Sequence, residues 1–158
     1  MKPRVLAVIP ARYQSRRFPG KALAVIAGKP LIEHIYQEAV KARLIDRVVV
    51  ATDSPEIARG VAAFDGELVI TSKRHRTGSD RVAEAMEKLG GMIVLNIQAD
   101  HIGLKRGEYD RVLQAMLADR KIRFASLIAS ISRESDLYDP NRIKVIANAT
   151  GHAIWFSR

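Results

Sequence analysis

The hydrophobic positions of this chain fall into short unbroken runs, separated by longer stretches with helical spacing. Val5-Leu6-Ala7-Val8-Ile9 comes first and contains no polar residue to mark a solvent face. Such a run reads as a strand covered on both sides. Asp46 to Asp53 repeats the pattern around Val48-Val49-Val50, Glu67 to Thr71 around Leu68-Val69-Ile70, and Met92 to Asp100 around Ile93-Val94-Leu95. In Lys29 to Val40, Leu31, Ile32, Ile35, Ala39 and Val40 share one helical face, and Pro30 suits the first turn. Asp53-Ser54-Pro55-Glu56 caps a second helix. Arg81 to Leu89 forms a third with Thr77 to Asp80 at its N-terminus, and Glu108 to Asp119 lies in a fourth. Strand, loop and helix in repetition predict an α/β fold: a mostly parallel sheet with helices on both faces. Phe124 to Ile131 reads as a further strand. Two apolar runs, Arg142 to Ala147 and His152 to Phe156, flank an Asn/Gly turn and predict a hairpin, hence some antiparallel pairing near the C-terminus.

Composition narrows the class. With 158 residues, no repeat and no low-complexity linker, a single domain over 1–158 is expected. No apolar run approaches membrane-spanning length, and no signal-peptide core is present at the N-terminus. The absence of cysteine excludes disulfides, thiolate chemistry and cysteine-based zinc sites, and fits a reducing compartment. A formal charge of +9 points to an anionic partner. Aromatic residues make up only 6% and do not alternate with the cations, as a base-stacking platform would require. A phosphorylated small molecule is favoured over nucleic acid.

The cations concentrate in two loops. Arg12, Arg16, Arg17 and Lys21 lie in Pro10-Ala11-Arg12-Tyr13-Gln14-Ser15-Arg16-Arg17-Phe18-Pro19-Gly20-Lys21, directly after the first strand. In open α/β sheets ligands bind in the crevice outside the strand ends. Lys73, Arg74, Arg76 and Arg81 form the second group, leading into a helix N-terminus whose free amides also attract anions. Asp100 ends the fourth strand, where a carboxylate can hold Mg²⁺ with substrate phosphates completing the shell. Plain alternatives exist for each feature: a solvated basic loop, a capping role for Asp53 and Ser54, and a turn-capping Asp100. His34 beside an apolar helix face reads as a partly covered structural histidine.

The loop Ile9 to Lys21 resembles the signature of the CMP-sugar synthetases. Tyr13, Ser15, Arg17 and Pro19-Gly20-Lys21 are more similar to the branch acting on 3-deoxy-D-manno-octulosonate (Kdo) than to the sialic acid branch. Val49 to Asp53, Thr71-Ser72 with His75, Thr77 to Arg81, Asn96 to Asp100, Asp139-Pro140-Asn141, Lys144-Val145 and Phe156-Ser157-Arg158 match in order. The resemblance implies a Rossmann-like nucleotidyltransferase fold. It also implies transfer of CMP from CTP to Kdo, with pyrophosphate release, for lipopolysaccharide synthesis in the cytoplasm. By the same resemblance, Arg12 and Lys21 bind the triphosphate, with Arg17 near the phosphates. Pro10 and Ala11 lie by the cytosine with Ser15 in the same substrate-binding loop, and Thr52, Asp53, Ser79 and Arg81 line the nucleotide pocket. Gln98 stands at the junction with the sugar, Asp100 is the Mg²⁺ ligand, and Arg158 reaches the sugar acid.

Two departures accompany the match. Ala99, His101 and Ile102 replace the family's Gly, Glu and Pro. A positive φ at position 99 would strain alanine, and His101 removes a negative charge beside a hard cation. Family members also continue beyond the point where this chain stops, into a segment implied to carry a second metal-binding aspartate, sugar-pocket residues and the homodimer contact. The expected function is therefore a CMP-sugar-forming cytidylyltransferase. The alternative is a non-catalytic CTP-binding or partner-binding remnant.

Overall fold

The run that opens the sequence becomes the inner strand of a parallel sheet. In the computed structural model, which describes residues 4–14 and 18–158, β1 (Val5–Pro10) is buried along its whole length. β2 (Val25–Ile26) and β3 (Lys29–Pro30) form a small antiparallel pair before α1 (Leu31–Val40). Then come β4 (Arg47–Thr52), α2 (Pro55–Ala62), β5 (Leu68–Ile70), α3 (Gly78–Leu89), β6 (Ile93–Asn96) and α4 (Arg106–Ala118). The sheet order is β5-β4-β1-β6. Every pairing is parallel, with Val8 opposite Val49 on one side and Asn96 on the other. All four strands therefore end at the same edge.

Alternation along β1 and β4 explains why both read as continuous apolar runs. Ala7, Ile9, Val48 and Val50 face Leu31, Ile32 and Ile35 of α1, Ile57 and Val61 of α2, and Tyr109 of α4. Leu6, Val8, Val49 and Ala51 face Val82 and Ala85 of α3. Helices thus cover both faces, as the periodicity predicts. Truncating a fully buried residue such as Ile9 to alanine removes packing worth about 2–5 kcal/mol.

Two boundaries differ from the sequence reading. Pro30 precedes α1 as its N-cap residue, because Lys29 and Pro30 pair with Ile26 and Val25 across a tight turn. Ala27 (φ 48°) and Gly28 (φ 81°) supply the two positive φ angles that such a hairpin turn demands. β6 stops at Asn96 instead of running to Asp100. The amide of Ile97 still donates to the Val8 carbonyl at 2.9 Å, after which the chain turns and the amide of His101 donates to the Gln98 carbonyl at 3.1 Å.

The chain divides into two compact units, Met1–Arg123 and Phe124–Arg158. The second contains α5 (Ser135–Tyr138) and the hairpin of β7 (Lys144–Ala147) with β8 (Ala153–Ser157). The Asn148 side chain accepts from the amides of Thr150 (3.1 Å) and His152 (2.9 Å), which closes the expected turn. The strand expected over Phe124 to Ile131 is absent. That segment joins no ladder among the described residues, and Phe124 is 94% exposed. Apolar, β-branched composition favours extended backbone, but a strand also needs a paired neighbour.

Candidate functional site

The parallel sheet delivers the exits of β1, β4, β5 and β6 to one edge, and the described sequence-predicted residues of the first unit lie along it. After β1, the buried Ala11 donates its amide to the Ala51 carbonyl at 2.9 Å and extends the β1–β4 pairing by one residue. Arg12 follows and is exposed. The loop closes where the amide of Gly20 donates to the Tyr13 carbonyl at 2.8 Å. Gly20 sits at φ 70°, and a side chain there would stand 3.4 Å from the Tyr13 ring. This closure aims Lys21 across the edge. Its Nζ meets Oδ2 of Asp100 at 2.8 Å. The hydrogen bond from Lys21 outweighs desolvation and, with the charges of Lys21 and His101, holds the Asp100 carboxyl below its ordinary range. Ser15, Arg16 and Arg17 lie outside the described residues.

A second, more buried cluster sits at the exits of β4 and β5. Thr52 is fully buried, and its carbonyl accepts the amide of Thr71 at 2.9 Å. Ser54 accepts from the amide of Ile57 at 3.2 Å and caps α2. Capping thus belongs to Ser54, and Asp53 pairs instead with Arg81 at 3.1 Å. Arg81 also donates to the hydroxyl of Thr71. The arginine is only 4% exposed, so its charge is fixed in place by two different strand exits.

The start of α3 ties the two clusters together. Thr77 caps it, and the Thr77 amide donates in turn to the Asp80 carboxylate at 3.0 Å. Ser79 lies exposed in the first turn. A side chain at Gly78 would stand 3.4 Å from Pro10 and 3.9 Å from Oε1 of Gln98. Pro10, Gly78 and Gln98 therefore meet where β1, α3 and the turn after β6 converge. Nε2 of Gln98 donates to the Asn96 side chain at 3.0 Å. Arg158 lies in the second unit, directly after β8, and is exposed there.

The donor set suits a magnesium-nucleotide better than a metal caged by protein. Among the described residues no three His, Cys, Asp or Glu side chains gather as a metal site. Asp100 offers one ionised, hard carboxylate oxygen, and Mg²⁺ commonly takes one or two carboxylates with the rest from phosphates and water. Ala99 is not strained: positive φ outside glycine occurs, among the described residues, only at Ala27 and Asp65. His101 is exposed next to Asp100. Beside this turn a cavity of about 410 Å³ is bordered by α1 and residues 101–105. Its cations are largely engaged, Lys29 with Glu33 at 2.9 Å and Lys41 with Glu38 at 2.7 Å. His34 binds the Ile26 carbonyl at 2.7 Å, in keeping with a structural role.

Sequence reasoning missed the Lys21–Asp100 pairing and the part played by Glu84. The Glu84 carboxylate accepts from the Ser72 amide (2.8 Å) and pairs with His75 and with Lys88 (2.6 Å). The four-residue spacing of Glu84 and Lys88, on the same helix face as Arg81, is the signal that could have drawn attention to it.

Comparison with known proteins agrees with this geometry. The profile of a family described as cytidylyltransferase matches residues 6–158. A 3-deoxy-manno-octulosonate cytidylyltransferase of Geobacter sulfurreducens is 41% identical over 154 residues, covering 98% of this chain and 62% of the relative. The protein of the same name from Geobacter metallireducens is 41% identical over 155 residues, covering 98% and 61%. Among solved structures, a CMP:2-keto-3-deoxy-manno-octonic acid synthetase complexed with CTP superposes with a TM-score of 0.94 at 37% identity, over 98% of this chain and 64% of that one. The chain thus spans about three fifths of the length of the curated relatives it matches.

Proposed function

This chain belongs to the cytidylyltransferase family, and from that premise we propose that it transfers CMP from CTP to 3-deoxy-D-manno-octulosonate, releasing pyrophosphate, for lipopolysaccharide synthesis. The observation that carries the reading is the convergence of Lys21, Asp100, Gln98, Pro10 and the Asp53–Arg81 pair at one edge of a parallel sheet. Similarity to a synthetase complexed with CTP and to relatives named for this sugar acid supports the choice of substrates.

In this reaction the anomeric hydroxyl of the sugar acid forms a bond to the α-phosphorus. The bond from that phosphorus to the α–β bridging oxygen breaks, and the electron pair leaves on pyrophosphate as the hydroxyl proton is lost. The work of the protein is positioning and charge neutralisation. Arg12 and Lys21, with Arg17, neutralise the triphosphate. Lys21 exchanges its exposed carboxylate partner for phosphate oxygens. Pro10 and Ala11 border the cytosine, Thr52, Asp53, Ser79 and Arg81 shape the nucleotide pocket, and Gln98 stands between nucleotide and sugar. Asp100 would hold Mg²⁺, which when bound supplies neutralisation of the phosphate charge.

On the same reading the active protein is cytoplasmic and works as a homodimer on small molecules, with neither nucleic acid nor membrane insertion involved. No helix among the described residues is long and apolar enough to cross a membrane. Product analysis after incubation with Mg²⁺, each of the four ribonucleoside triphosphates, and Kdo or N-acetylneuraminate tests the assignment. A CMP-Kdo mass formed only from CTP, and lost in Asp100→Ala, is expected. A product with another nucleotide or sugar acid, or none, would overturn it.

A further inference from the structure

The buried Arg81 belongs to a polar stripe along α3. Arg81, Glu84 and Lys88 lie three and four residues apart, hence on one helix face. All three reach the chain leaving β5. Lys88 donates to the Ile70 carbonyl at 2.8 Å, Arg81 to the Thr71 hydroxyl, and Glu84 accepts the Ser72 amide at 2.8 Å while also pairing with His75. Thr71 is one of the two anchors of Arg81, and it is bracketed on both sides by bonds to the same helix. The second basic loop starts here too, since the Arg74 amide donates to the Ser72 hydroxyl at 3.1 Å.

We propose that Glu84 is a positioning residue of the nucleotide site, holding residues 70–76 on α3 so that Thr71 keeps Arg81 in place for CTP. The inference rests on the cytidylyltransferase reading above. Hydrogen bonds from Lys88, the Ser72 amide and His75 keep the Glu84 carboxyl ionised down to about 2, so the tether persists across physiological pH.

The sign of the effect separates this role from a simple charge effect. A carboxylate near a polyphosphate repels it, so removing that charge would strengthen CTP binding on Coulombic grounds alone. Loss of a tether weakens it. Calorimetric titration of the chain with CTP and Mg²⁺ compares wild type, Glu84→Ala, Glu84→Gln and Glu87→Ala well below each unfolding temperature. Glu87 is exposed on the same helix and serves as the control. Glu84→Ala is expected to weaken binding about tenfold, equivalent to ~1.4 kcal/mol. Glu84→Gln still offers an oxygen to the Ser72 amide and recovers most of the loss, while Glu87→Ala matches wild type. Unchanged or tighter binding by Glu84→Ala, or an equal loss in Glu87→Ala, would overturn the positioning role alone. If wild type itself does not bind CTP, the cytidylyltransferase reading falls and this inference with it.

Discussion

Two cation–carboxylate pairs stand at the same sheet edge, and they are built for different tasks. Asp53 and Arg81 meet at 3.1 Å with side chains 22% and 5% exposed, and the arginine has a second anchor in Thr71. Lys21 and Asp100 meet at 2.8 Å with side chains 42% and 53% exposed, the first opening a short 3-10 helix (Lys21–Leu23) and the second in a turn. A buried charge is costly to strip of its partner, so the first pair is locked in place. An exposed ammonium–carboxylate contact is worth little and exchanges readily, so the second pair opens when a better anion arrives. One pair is fixed in place, and the other is free to exchange its partner.

Breaking the buried pair should have the largest effect. Arg81→Ala leaves Asp53 and the Thr71 hydroxyl unpartnered and is expected to cost about 3 kcal/mol of stability, read as a lowered denaturant midpoint at unchanged slope. Arg81→Lys should not restore it, because one ammonium does not reproduce a planar guanidinium bridging two oxygens in fixed directions. Lys21→Ala inverts the pattern. Its stability should stay within about 1 kcal/mol of wild type, while CMP transfer drops about 10²-fold through loss of one charge-stabilising donor. Equal stability losses in the two variants would erase the distinction.

Salt sharpens the contrast at smaller amplitude. Raising ionic strength from about 0.1 M to about 1 M shortens the screening length from roughly 10 Å to roughly 3 Å. The small stability difference between wild type and Lys21→Ala should then vanish, while that between wild type and Arg81→Ala persists. Acid gives the smallest effect. The Asp100 carboxyl is depressed by Lys21, so its contribution is present above the unfolded aspartate value of about 3.9 and lost as pH falls through the lower folded value. Glu84, depressed from 4.5 to about 2, loses its contribution over that same downward interval. Acid unfolding of Glu84→Gln should be flatter than wild type there. An unchanged profile would show that the carboxylate is not held by its three donors.

Much of this was legible from sequence wherever burial on both faces or a cap left a local mark. β1 and β4 were visible because helices cover both sides, and the start of α3 because Thr77 and Asp80 form a reciprocal cap. Arg12, Lys21, Arg81 and Asp100 stood out as charges after apolar strands. The partners were not visible. Nothing local says that Asp53 leaves capping to Ser54 and turns to Arg81, or that Lys21 reaches a residue 79 positions away. The same limit explains Phe124 to Ile131, whose composition favours extended backbone but whose pairing depends on a neighbour the pattern cannot supply.

The most direct test of the central claim is amide NMR of the chain titrated with CTP and Mg²⁺. The account expects shifts concentrated at Ala11, Arg12, Gly20, Lys21, Asp53, the segment 71–81 and the turn 98–101, saturating with one equivalent of CTP. Shifts gathered instead on the hairpin of β7 and β8, or no shift at millimolar CTP, would contradict it.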